Sequence, residues 1–227
     1  MLYGRMAMGS IGVMAGIPSV LTDFLWSYYQ MIQYNCEFIE NGNYYIHYDR
    51  ATYSDHAPAR NSLVNKMKGD WLLQLDTDHV FQPDLLRRML HRVEKYDVDV
   101  LVGLYQVKME PYCPVMWVYD KKDNLHPLAS WDKNAGLLEI GAAGAGALFV
   151  KRKVYERIKK ELGEEPFSRL PGLSEDHSFF RRLHKLDIKA YCDPRIQVNH
   201  LRIAPVTLND LNLNSMAMDT IETPGFK

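Results

Sequence analysis

The sequence predicts an α/β fold, a single domain with a mostly parallel central sheet flanked by helices. Two patterns carry this. Short apolar runs alternate with amphipathic stretches along the chain. Residues 98–104 are almost wholly apolar, as suits a strand covered on both faces.

Taken in order, a first strand is expected to end near Met8, before a glycine-rich loop. Residues 18–33 read as a helix, because Val20, Leu21, Phe24, Leu25 and Tyr28 recur at helical spacing. Asn41-Gly42-Asn43 marks a turn, and residues 44–48 a second strand. A helix is expected over 57–68 and a strand over 71–75. Pro83 opens another helix, where its missing N–H is harmless, with Leu86, Met89, Leu90 and Val93 as its buried stripe. Residues 120–136 are polar and loop-like. Further on come a strand over 145–150, helices over 151–162 and 174–186, and short strands over 188–192 and 196–199. From residue 202 the chain turns polar and reads as a tail or lid.

The chain has 227 residues, enough to bury a core without staples. With 27 basic and 28 acidic side chains the net charge is −1, so any partner must be held by a local site rather than by bulk charge. The three cysteines, Cys36, Cys113 and Cys192, form no CxxC pair. They read as reduced thiols of a cytoplasmic protein rather than a zinc or redox site. Residues 6–22 are uncharged, but glycines and Pro18 interrupt them. They also fall short of the ~20 apolar residues of a spanning helix, so no transmembrane segment is expected.

The sharpest motif is Leu72-Leu73-Gln74-Leu75-Asp76-Thr77-Asp78, an apolar strand running into two carboxylates. If the chain stays extended, Asp76 and Asp78 share a face. Beyond a strand's carboxyl end they could hold a hard divalent cation that bridges to phosphate, or simply cap the next helix. Upstream, Arg60 begins a face continued by Leu63, Val64 and Met67. A buried cation needs a partner. A diphosphate or a carboxylate of the Asp-Thr-Asp segment would suit, and a snorkelling surface arginine is the plain alternative. The small residues 141–147 allow either close approach to a ligand or tight strand packing. Glu175 and Asp176 follow the N-cap candidate Ser174. They either complement the helix dipole or offer a general base. His200 ends a short apolar strand and is a reasonable further metal ligand.

Read in order, Ala59-Arg60-Asn61, Gly69-Asp70, Asp76-Thr77-Asp78, Gly144-Ala145-Gly146, Glu175-Asp176, Asp193-Pro194 and His200 resemble the GT-A glycosyltransferases, especially the family-2-like group, over roughly residues 5–201. The resemblance implies a GT-A domain over 1–201, with a nucleotide-binding half to about residue 105, an acceptor-binding half over 106–201 and a tail over 202–227. It implies a nucleotide-sugar donor, an acceptor of unknown kind and Mn²⁺ or Mg²⁺ as cofactor. Asp78 and His200 would ligate the metal. Asp76 would join them or contact ribose. Ser10, Arg60, Thr77 and Gly144 would lie at the nucleotide sugar. Asp176, or Glu175, would supply the base in an inverting reaction. The first-strand signature of the family is replaced by Met8-Gly9-Ser10-Ile11, and the QxxRW-type motif of processive synthases is absent. A nucleotidyltransferase and a non-catalytic nucleotide- or sugar-binding module are the alternative readings. His126 and Trp131 mark the expected acceptor-facing loop.

Overall fold

The computed structural model describes residues 8–14, 22–40, 45–51, 55–132 and 136–201. The first strand, β1 (Met8–Met14), begins where the sequence suggested it would end. Its glycines depress strand propensity but are needed for packing. A Cβ on Gly9 would meet the Trp71 ring at 2.0 Å. Helix α1 (Thr22–Glu40) runs further than expected. Then come β2 (Tyr45–Ala51), α2 (His56–Lys66), β3 (Trp71–Asp76), β4 (His79–Phe81), α3 (Leu85–Tyr96) and β5 (Val100–Leu104). The stretch read as a polar loop contains part of a small antiparallel sheet. That sheet comprises β6 (Met116–Tyr119), β7 (Leu125–Pro127) and, after the strand β8 (Leu138–Ile140), β9 (Ala142–Ala143). The chain continues through β10 (Ala147–Lys151), α4 (Arg152–Arg157) with a widened last turn Ile158–Leu162, α5 (Glu175–Lys185) and β11 (Ala190–His200). The expected turn at 41–43 and the tail at 202–227 lie outside the described residues.

The central sheet has the order β2-β1-β3-β10-β5-β11-β4, with β8 also paired to β11. It is mixed rather than mostly parallel. β2, β1 and β3 run parallel, as do β5 and β11, but β10 is inserted antiparallel between β3 and β5. Two cores cover its faces. Phe24 and Met31 of α1 and Leu86, Met89, Leu90 and Val93 of α3 pack on one side. Leu63 and Val64 of α2, Val154 and Tyr155 of α4 and Phe179, Phe180 and Leu183 of α5 pack on the other.

The two short strands expected near the end are one. Pro194 has no N–H for the ladder, and β11 shifts register against β5 between Asp193 and Gln197. The fully buried Asp193 closes this bulge. It accepts from the Arg195 backbone N at 3.0 Å and the Arg195 Nε at 2.8 Å, and pairs with Arg92 Nε at 2.6 Å. Past the bulge β11 turns to β4, pairing Val198 with Phe81 and His200 with His79. That pairing and the β1–β3 register, which sets Met14 beside Asp76, bring three strand ends together.

Candidate active site

Asp55 caps α2, accepting a hydrogen bond from Ala57 N at 3.2 Å. The helix aims Arg60 into the protein, where it is 2% exposed. Nη1 donates to Gln74 Oε1 at 3.3 Å and to the Ala145 carbonyl at 3.2 Å. Nη2 donates to both oxygens of Asp76 at 3.1 Å. Nε stands 3.3 Å from Asp176 Oδ1 and 3.7 Å from Glu175 Oε1. Burial alone would lower the guanidinium pKa. The carboxylates of Asp76, Asp176 and Glu175 outweigh it and hold the group charged, above its ordinary value. Arg60 therefore takes carboxylate partners and does not present a fork to a diphosphate.

Ser174 caps α5 by accepting from His177 N at 3.3 Å, which places Glu175 and Asp176 in the first turn. Glu175 is 6% exposed, with Arg169 and His56 also within 4 Å of its carboxylate. Asp176 Oδ2 accepts from Ala145 N at 3.3 Å, and Oδ1 has no hydrogen-bond partner. Burial, together with the neighbouring Glu175 and Asp76 charges, outweighs Arg60 and pushes Asp176 up to about 6.

A second cluster begins two residues beyond Asp76. Asp78 Oδ2 accepts from Lys108 Nζ at 2.5 Å and lies 3.3 Å from His200 Nε2; Oδ1 lies 2.8 Å from His79 Nδ1. Burial pushes Asp78 up, but His200, His79 and Lys108 overcome it and hold the carboxyl far below the ordinary range. One ligand atom each from Asp78, His79 and His200 falls within 4.8 Å of the others. His79 is 1% exposed, and neither ring nitrogen has a well-formed hydrogen bond. Its ring stacks on His200 with centroids 4.3 Å apart, and Tyr105 meets both edge-on. His200 Nδ1 is 3.0 Å from the Gln106 carbonyl, which can only accept, so that nitrogen carries a proton. With that proton on Nδ1, loss of the Nε2 proton on metal binding would free the Nε2 lone pair beside the Asp78 carboxylate for a shared cation. The donor set fits a divalent metal.

The other expected residues divide. Thr77 is buried and donates to the Met14 carbonyl at 3.4 Å, tying the Asp-Thr-Asp turn to the end of β1. Asp76 is not part of the metal-type cluster, because Arg60 holds it. Ser10 is the third residue of β1, not near its end. It is buried and bonded to Lys68 through both the carbonyl at 2.8 Å and the N–H at 2.7 Å. Gly144 is buried, and a Cβ there would meet Tyr105 Oη at 1.8 Å, so packing accounts for it. His126 pairs with Asp120 at 2.9 Å, and Trp131 packs half-buried on the core. Sequence reasoning missed His79 and Lys108. His79 follows Asp78 directly but carries no motif of its own. Lys108 belongs to a loop without a motif.

The family described as Glycosyl transferase family 2 matches residues 32–157, a span holding Arg60, Asp76, Asp78, His79 and Lys108. No curated protein matches. The crystal structure of A197 from STIV is similar at a TM-score of 0.50 and 18% identity, over 88% of this chain and 96% of that one. GalNAc-T7, solved with UDP, GalNAc and Mn²⁺, is similar at a TM-score of 0.58 and 13% identity over 86% of this chain. This chain spans only 43% of the GalNAc-T7 chain. Both share the GT-A-type arrangement of a central sheet flanked by helices. With its family matched over more than half of its length, the chain belongs to glycosyl transferase family 2 and is a glycosyltransferase.

Proposed function

We propose that the chain transfers a sugar from a nucleotide-sugar donor with the help of a divalent metal held by Asp78, His79 and His200. The observation that carries this is the convergence of these three side chains at the strand ends, beside a buried acid group organised by Arg60. The similarity to GalNAc-T7, which was solved with UDP, GalNAc and Mn²⁺, supports the same class of donor. Two imidazoles and one carboxylate suit Mn²⁺ better than Mg²⁺, which prefers all-oxygen shells. Bound there, the metal would supply positive charge to the departing diphosphate.

The chain's own residues do the rest. Thr77, bonded to Met14 at the end of β1, and Arg60, reaching over from α2, hold the Asp-Thr-Asp turn in place. Arg60 is a positioning residue in this reading, and Asp76 serves the site through it. Residues up to about 105 form the donor side, and 106–201 the acceptor side. Asp176, with its pKa near 6, is mostly ionised at neutral pH. It can take the acceptor hydroxyl proton in an inverting transfer. Burial first, and then repulsion from Glu175 and Asp76, keep that pKa raised.

The test is donor hydrolysis and transfer across a panel of nucleotide sugars, with and without Mn²⁺. One donor should turn over with Mn²⁺ and stop on chelation. Turnover that survives chelation, or that is unchanged in Asp78→Ala, would sink the metal assignment. Turnover with retained anomeric configuration would remove Asp176 as the base.

A further inference from the structure

Away from this site, α1 and α3 share one outer surface. Both bury their apolar stripes in the same core, so their opposite faces look the same way. On α1 that face is mostly aromatic and apolar. Leu25 is 50% exposed, Trp26 60% and Tyr29 50%, with the Trp26 and Tyr29 rings stacked at 5.8 Å. Between Thr22 and Cys36 the only charged residue is Asp23. A five-turn surface helix normally carries charge on its outer face. Beside it, α3 turns Arg87, Arg88, His91 and Lys95 outward.

The two faces meet in a groove of about 190 Å³ lined by Tyr34, Asp84, Arg87, Arg88, His91 and Arg92. Arg87 donates to Tyr34 Oη at 3.4 Å and covers its ring at 5.7 Å. Arg92 is paired with Asp193, and Arg88 donates to the Arg195 carbonyl. Asp84 is the one carboxylate in the groove lining. With Arg92 matched by Asp193, the guanidiniums of Arg87 and Arg88 against the Asp84 carboxylate leave it positive.

We propose that this surface docks on an anionic membrane, Trp26 and Tyr29 entering the headgroup layer while the α3 arginines meet lipid phosphates. Amphipathic aromatic rings sit at that depth because one end is apolar and the other wet. Basic side chains beside them draw the protein to anionic lipid. A second copy of the chain fits less well, because a two-fold contact through this face would bring arginines against arginines. Among the described residues no helix is long and apolar enough to cross a membrane, so the contact is a surface one.

The experiment is co-sedimentation of the full chain with phosphatidylcholine vesicles, either plain or containing about one-third phosphatidylserine. Wild type should sediment with the anionic vesicles and be released at roughly 0.5 M salt. The Trp26→Ser/Tyr29→Ser double variant should keep its melting temperature, since both side chains are exposed, and lose at least about tenfold in vesicle affinity. Arg87→Gln should lose about fivefold. Wild type left in the supernatant at low salt overturns the proposal, as does undiminished binding by the double variant. So does a dimer in sedimentation that the double variant dissociates, which would mark the face as a self-interface.

Discussion

Arg60 Nη2 stands 3.1 Å from each carboxylate oxygen of Asp76, so the first acid of the Asp-Thr-Asp turn is held by a buried cation from the preceding helix. Removing one member of a buried ionic group strands the others. Arg60→Ala would leave Asp76, Asp176 and Glu175 facing each other with a cavity between them. The expected loss is about 3–5 kcal/mol of stability, read from denaturant unfolding. A variant as stable as wild type would mean that these acids are solvated in the native protein.

Metal binding at Asp78, His79 and His200 should stabilise the fold by mass action. At Mn²⁺ one hundred times its Kd, the gain is about 2.7 kcal/mol. Differential scanning calorimetry should show the shift in wild type and its loss in Asp78→Ala. His79→Ala and His200→Ala should each weaken it. A full shift in all three would place the metal elsewhere.

Lys108 Nζ lies 2.5 Å from Asp78 Oδ2, and the lysine is partly exposed. In the metal-free protein it acts as a counter-ion that an incoming cation must displace. Lys108→Met should therefore raise Mn²⁺ affinity by up to about fivefold, the scale of an exposed ion pair. Weaker binding by titration calorimetry would show that lysine and metal do not compete.

The raised Asp176 pKa has a pH signature in two measurements. As a base it must be ionised, so transfer should fall as pH drops through about 6. For stability the sign is opposite to that of a salt-bridged acid. The folded state holds the proton more tightly than the unfolded chain, so folding stability declines as pH rises from about 3.8 to about 6 and stays lower above that. Asp176→Asn should gain stability at neutral pH and none below about pH 4. It should also lose on the order of 10²–10⁴ in transfer rate. A variant destabilised at pH 7 would reverse the inferred balance between burial and Arg60.

Gly146 lies under the metal-type cluster. A Cβ there would meet His79 Cε1 at 2.6 Å, and the ring is boxed in by Tyr105 and His200. Gly146→Ala should cost about 1–3 kcal/mol as overpacking and turn His79 from its place. Reduced Mn²⁺ affinity in a folded variant is the outcome to look for.

The strand into Asp76 was legible because Trp71, Leu72, Leu73 and Leu75 make an apolar run broken only by Gln74. The helix stripes of α3 and α5 were legible from apolar residues recurring at three- and four-residue spacing. What escaped depended on contacts between distant segments. Gly9 and Gly12 disguise β1, since Trp71 and Leu63 occupy the space their side chains would need. Nothing local in Ala147–Lys151 says that this strand runs against its neighbours. Pro194 reads as a break, whereas Asp193, Arg195 and Arg92 turn it into a bulge within one strand. His79 was hidden by strict alternation, which would send it away from Asp78. The turn at Thr77-Asp78 cancels that alternation.

The ladder that sets His200 opposite His79 has a consequence for how this protein can change. The spacing of these side chains is fixed by strand register and not by the length of the chain between them. Segments between Met109 and Trp131, beyond the contacts of Gln106 and Lys108 with the site, could be lengthened, shortened or exchanged, and β4 and β11 would still meet in the same register. Selection could thus rebuild those segments many times over while Asp78, His79 and His200 stayed where they are. A single-residue insertion between Gln197 and His200 would do the reverse, turning His200 to the other side of its strand.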